Sequence, residues 1–123
     1  MDIEFFRGYT LKKKGVTEGF PFGESVLVFK VLGKIFMMIN FETPFQINLK
    51  CDPELAIELR ERFNSVIPGY HMNKKHWNTV IADGNVPIKE ILKMIDHSYD
   101  IVIKNNLPKK DRDKLLKRNK KIL

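Results

Sequence analysis

Residues 25–61, SVLVFKVLGKIFMMINFETPFQINLKCDPELAIELRE, decide the fold class. Residues 25–32 and 35–42 are rich in β-branched and aromatic side chains and read as two strands of a hairpin. Gly33-Lys34 stands between them, and glycine at the first of two turn positions suits a type II′ turn. Residues 45–51 alternate: Phe45, Ile47 and Leu49 face one way, while Gln46, Asn48 and Lys50 face the other, as in a strand with one buried and one wet face. Asp52-Pro53-Glu54 then opens a helix with a cap, a proline at its first position and an acid in its first turn. Leu55, Leu59 and Phe63, spaced by four, carry that helix to about Asn64.

Upstream, residues 2–13 read as a helix capped by Asp2, with Phe5, Phe6 and Tyr9 on one face. Gly15 is a natural stop. The following GVTEGFPFGES reads as a loop that Phe20 and Phe22 pin to the core. Downstream, residues 66–70 form a short edge piece, 76–82 a strand, and Asp83-Gly84-Asn85 a turn. Pro87 opens a long helix in which Ile88, Ile91, Leu92, Ile95, Tyr99 and Val102 repeat at helical spacing. Asn105-Asn106-Leu107-Pro108 breaks it, and residues 109–123 form a basic helix with a Leu115/Leu116/Ile122/Leu123 stripe. The order α, three strands, α, two strands, α, basic α implies an α+β fold: a five-stranded antiparallel sheet with helices on one face. Residues 1–107 are expected to be a single domain, with 108–123 a helix or tail.

A chain of 123 residues has room for one domain and buries enough surface to fold without metal or disulfide. A single cysteine excludes an internal disulfide. The apolar runs are too short to span a membrane, and the N-terminus lacks the charge order of a signal peptide, so the cytoplasm is the expected compartment. The net charge is +7. Residues 104–123 hold nine basic residues and two acids, which leaves the remainder neutral. Such an end favours an anionic partner, or is simply a solvated terminus.

Five stretches now resemble one family: GVTEGFPFGESVLVFKVLGKIF (15–36), NLKCDPELAIELRE (48–61), IPGYHMNKKHWNTV (67–80), HSYDIVIK (97–104) and LPKK (107–110). Together they resemble the MmcQ/YjbR family of small bacterial proteins. The resemblance implies a two-layer α-β(3)-α-β(2)-α fold, similar to secretion chaperones and loosely to the frataxin-like group. It also implies a DNA-binding role proposed for the family as a double-wing arrangement, with no assigned catalytic residues.

The residues suited to nucleic acid are His71, Asn73, Lys74, Lys75, His76 and Trp77, beside Tyr70. Lysines meet phosphates, aromatic rings offer stacking faces, and Asn and His supply hydrogen bonds. A lone tryptophan is also a common core residue. Lys34 and Lys50 extend the patch, and Lys109, Lys110, Arg112, Lys117 and Arg118 form a second one on the tail. The expected function is therefore a non-enzymatic nucleic-acid-binding module, DNA by the resemblance, acting through phosphates with little sequence specificity. The alternative is a protein-interaction adaptor or homodimer.

Enzyme readings have little support. Cys51 precedes a helix N-terminus and follows Lys50, two features that lower a thiol pKa, but no Cys-His spacing supplies a base. His71 and His76 lie five apart, which aligns them on neither strand nor helix for a shared metal. GVTEGFPFG lacks the Gly-Lys-Ser/Thr of a phosphate loop. No cofactor, metal or catalytic residue is expected.

Overall fold

Pairing of the strands read from residues 25–50 builds the centre of the molecule in the computed structural model of the chain. The structure describes residues 2–69 and 72–122, with side chains described to Leu115. The elements in order are α1 (Ile3–Leu11), β1 (Val16–Gly19), β2 (Val26–Val31), β3 (Lys34–Asn40), β4 (Gln46–Lys50), α2 (Pro53–Arg62), β5 (Val66–Pro68), β6 (Trp77–Ile81), α3 (Ile88–Asn106) and α4 (Lys109–Ile122). The strands form one sheet in the order β1-β2-β3-β4-β6-β5, and every neighbouring pair is antiparallel.

The sheet has six strands where five were expected. The additional one is β1, inside the segment read as a loop. Its sequence, VTEG, has no apolar alternation; it is ordered by pairing from Val16↔Val31 to Gly19↔Val28. Backbone pairing at an edge leaves little trace in local pattern. The β2–β3 turn also differs from expectation. Leu32 and Gly33 form it, with φ of 45° and 86°, while Lys34 pairs with Val31 as the first residue of β3. Positive φ at both central positions is the requirement of type I′ rather than II′.

The alternation of β2, β3, β4 and β6 turns Leu27, Phe29, Met37, Ile39, Ile47 and Val80 toward the helices. Phe6 of α1, Ala56 and Leu59 of α2, Ile91 and Ile95 of α3, and Leu115 of α4 join the same core. Each fully buried large side chain contributes about 1.5–3 kcal/mol. Both expected caps form: Asp2 accepts the Glu4 N–H at 2.9 Å, and Asp52 accepts those of Glu54 and Leu55 at 3.2 Å. Buried Ser98 fastens α3 to the sheet. Its hydroxyl donates to the Phe36 carbonyl and accepts the Lys50 N–H.

The opposite face of the sheet is not the open wet face expected. Asn48 is buried and accepts the hydroxyl of its cross-strand neighbour Thr79 at 2.6 Å. Phe22 before β2 and Met72 before β6 join the strand residues in lining a groove on this face. The same path carries Phe20 and Phe22 away from the core. They are 49% and 64% exposed, against the expectation that they pin the loop inward. Phe5 of α1 is exposed as well, since Phe6 alone takes the core position there.

Candidate nucleic-acid interface

Strand register collects the lysines at one end of the sheet. Val16, Val31 and Lys34 lie level, and Lys50 pairs with Trp77. The end of α1, the β2–β3 turn, the end of β4 and the loop before β6 therefore share this end. Three contacts add the last two helices. Tyr99 donates to the Lys14 carbonyl at 2.6 Å. The Lys50 ammonium donates to the Asn106 amide oxygen at 2.8 Å. Leu115 of α4 closes on Gly15, where a Cβ would lie 3.3 Å from its methyl group. Exposed there are Lys12 and Lys34, the Lys74–Lys75 pair, and Lys104, Lys109, Lys110 and Lys114. The turns at the other end, residues 20–25, 41–45 and 82–87, carry Glu24, Glu42 and Asp83 and no lysine or arginine.

The 73–77 segment is shaped mostly by its own hydrogen bonds. The Asn73 side-chain oxygen accepts the Lys75 N–H at 2.9 Å and so helps to form the turn. The Lys74 ammonium donates to the Gly69 carbonyl at 3.2 Å and closes the loop between β5 and β6. Lys75 is exposed. The His76 carbonyl accepts the Cys51 N–H at 2.7 Å, which ties the segment to the end of β4. His71 and Tyr70 lie outside the described residues, as do the side chains of Leu116, Lys117, Arg118 and Ile122. On α4, Lys109 and Lys110 are exposed, whereas Arg112 is half-buried and donates to the Lys104 carbonyl at 3.3 Å. Lys50 is held by Asn106 on the helix side rather than presented on a wet face, and desolvation lowers its pKa.

Sequence reasoning missed Arg60. From α2 its guanidinium donates to the Asn78 side chain at 2.7 Å and to the carbonyls of Lys74 and Trp77. One planar, multiply donating group thus clamps the start of β6. The sole signal was an arginine on an otherwise amphipathic helix, and nothing in its spacing named a partner. Trp77 itself is half-buried. It lines a groove of about 400 Å³ on the helix-free face, with Phe22, Val26, Met38, Asn48 and Met72. Trp77 is thus neither fully buried in the core nor fully exposed.

Sequence and fold comparisons agree with this architecture. Residues 11–101 match the YjbR family. The chain belongs to that family. It is 33% identical over 117 residues to YjbR of Escherichia coli K12, covering 94% of this chain and 98% of the relative. It is 38% identical over 97 residues to YbdF of Escherichia coli O157:H7, covering 77% and 78%. The crystal structure of DR2400 from Deinococcus radiodurans, a DUF419 domain, superposes with a TM-score of 0.86 at 37% identity, covering 92% of this chain and 86% of that one. A protein from Pseudomonas syringae superposes at 0.71 with 29% identity, covering 82% and 98%.

Within this YjbR fold Cys51 is not an activated thiol. It is buried in the core, and burial, reinforced by neighbouring Asp52, pushes its pKa up to about 12. The helix N-terminus and Lys50, which favoured a thiolate on paper, are outweighed by desolvation. Among the described residues no three His, Cys, Asp or Glu side chains gather as a metal site. No helix among them is long and apolar enough to cross a membrane.

Proposed function

We propose that this YjbR-family chain is a non-enzymatic nucleic-acid-binding module, DNA being the favoured partner, that works in the cytoplasm through phosphate contacts with little sequence specificity. The single observation that carries the reading is the polarisation of charge along the strands. Exposed lysines from five separate chain segments converge on one end, where they outnumber the exposed acids Glu54, Asp100 and Asp113, and the turns 20–25, 41–45 and 82–87 at the other end carry acids and no lysine or arginine. Lysines on flexible stems suit phosphates, and an array of point charges without fixed base-reading groups gives affinity without sequence preference. The Asn73 side chain, the best base-reading candidate, is already used within its own turn. The groove beside Trp77 would receive an unstacked base and favour single strands.

Fluorescence anisotropy with labelled single- and double-stranded DNA and RNA tests this. If about six phosphates are neutralised, affinity falls roughly a thousandfold between 50 and 200 mM salt. Absence of binding at 50 mM, or binding indifferent to salt, would refute the proposal.

A second reading rests on the other end. Phe20, Phe22 and Phe41 are exposed, and the Phe20 and Phe41 rings meet edge-on at 6.1 Å. Three exposed phenylalanines are a common protein-contact signature. A homodimer or protein adaptor would use them. Light scattering that shows a strict monomer removes the homodimer, and no protein recovered on the chain in pull-downs removes the adaptor.

A further inference from the structure

A cavity of about 220 Å³ lies between α2, α3 and the sheet, away from the groove beside Trp77. Its walls are Leu49, Leu55, Leu59, Val80 and Met94, with the Cys51 thiol among them. Polar groups stand at its two ends. Lys50 and His97 mark one; Arg62, Glu90 and Lys93 mark the other. At the second end charge is already matched, since Glu90 takes Arg62 at 3.2 Å and Lys93 at 3.8 Å. At the first it is not. Among the described residues the ammonium of half-buried Lys50 has the neutral Asn106 amide oxygen as its partner and no carboxylate. His97 accepts the Asp52 N–H at its Nε2 at 3.1 Å, which requires the neutral ring with its proton on Nδ1. Desolvation of Lys50 without a counter-charge agrees with the lowering of its pKa.

We propose that this cavity binds a medium-chain aliphatic carboxylate. Its carboxylate meets the Lys50 ammonium beside His97, and its chain runs between α2 and α3 over Leu55, Leu59 and Met94 toward the Arg62–Glu90 pair. Dimensions fit. From His97 back to Glu90 is roughly 10 Å of helix axis, the length of an extended eight-carbon chain. The volume is below the ~300–1,000 Å³ of drug-sized sites, so the occupant is small. The walls are mostly apolar, with one charge in need of a partner, and this combination selects an amphipathic anion over a sugar, a nucleotide or a hydrocarbon. The inference stands apart from the nucleic-acid reading, and its test contains no nucleic acid.

The experiment is an amide and methyl NMR titration of the full chain with octanoate, octanol and acetate. Octanoate gives saturable shifts centred on Leu55, Leu59 and Met94, while octanol and acetate bind at least about tenfold more weakly. Lys50→Met reduces octanoate to the level of octanol, and Met94→Phe, which fills the cavity, abolishes the shifts. Lys50→Met keeps the side-chain stem and preserves the test if Met94→Phe fails to fold. Equal binding of octanol and octanoate, scattered shifts, or octanoate binding that survives both substitutions would overturn the proposal.

Discussion

The two ends of the sheet are made of the same elements and present opposite chemistry. At one end, turns and helix termini bring exposed lysines from α1, β3, the β5–β6 loop, α3 and α4. At the other, the turns carry Glu24, Glu42 and Asp83 beside exposed Phe20, Phe22 and Phe41. The β2–β3 and β3–β4 connections belong to one meander, yet the first leads into Lys34 and the second opens with Phe41 and Glu42. The difference teaches that the charge of this protein is not confined to a tail. The lysines before residue 104, balanced by acids in the linear sequence, are separated from many of those acids by the fold.

The largest expected effect on binding comes from reversing charge at the lysine end. Lys34→Glu/Lys75→Glu/Lys110→Glu lowers DNA affinity by about a hundredfold or more at 50 mM salt and reduces the salt slope by about three. Phe20→Ala/Phe41→Ala changes it less than about twofold, because these two groups line no part of the groove beside Trp77 and meet no phosphate. A stronger loss in the phenylalanine variant would invert the comparison. Next is Cys51, at the lysine end. A thiol with a pKa of about 12 in place of the ordinary 9.0 alkylates about a thousandfold more slowly than an exposed one near pH 8, as iodoacetamide kinetics report.

A smaller effect follows from Arg60→Ala. It removes the donors to Asn78, Lys74 and Trp77 and costs about 1–3 kcal/mol in urea denaturation. It also loosens the β6 start and weakens DNA binding without changing the charge of any phosphate-contacting residue. Arg60→Lys, which keeps the charge and loses the planar fork, recovers only part of it. The smallest effect near neutral pH is in the pH dependence. The raised Cys51 pKa favours the fold fully below about 9 and loses that contribution as pH rises toward about 12. Asp83, held below the usual carboxylate range by the Ser65 hydroxyl and the Asn85 N–H, behaves oppositely. Its contribution is present above the unfolded value and is lost as pH falls through the lower folded one. Urea midpoints measured against pH for Cys51→Ala and Asp83→Asn should flatten the alkaline and acid limbs respectively.

Elements carried by caps and periodicity were legible in the sequence. Asp2, Asp52-Pro53 and Pro87 mark helix starts by local chemistry, and the Phe45/Ile47/Leu49 alternation fixes its strand and face. Elements ordered by a neighbour were not. β1 exists because β2 supplies its hydrogen bonds, and Asn48 is buried because Thr79 satisfies it and distant segments cover it. Neither dependence is written within a few residues of the element. The candidate site divides the same way. Lys34, Lys74, Lys75, Lys109 and Lys110 were legible as basic residues, but their convergence on one end needed strand register. Residue type alone did not reveal that Asn73 and Lys74 also hold their own loop. Arg60 was invisible because its three acceptors lie 14 to 18 residues downstream.

The most direct test of the polarity is a residue-resolved map of contact. Amide NMR of the full chain, titrated with a short single-stranded DNA at 50 mM salt, reads both ends in one experiment. The account predicts saturable shifts at Lys12, Lys34, Lys75 and Trp77 and along Lys104–Leu115, reversed by salt, with Glu24, Phe41 and Asp83 unmoved. Shifts centred on Phe20 and Phe41, or none at either end, would contradict it.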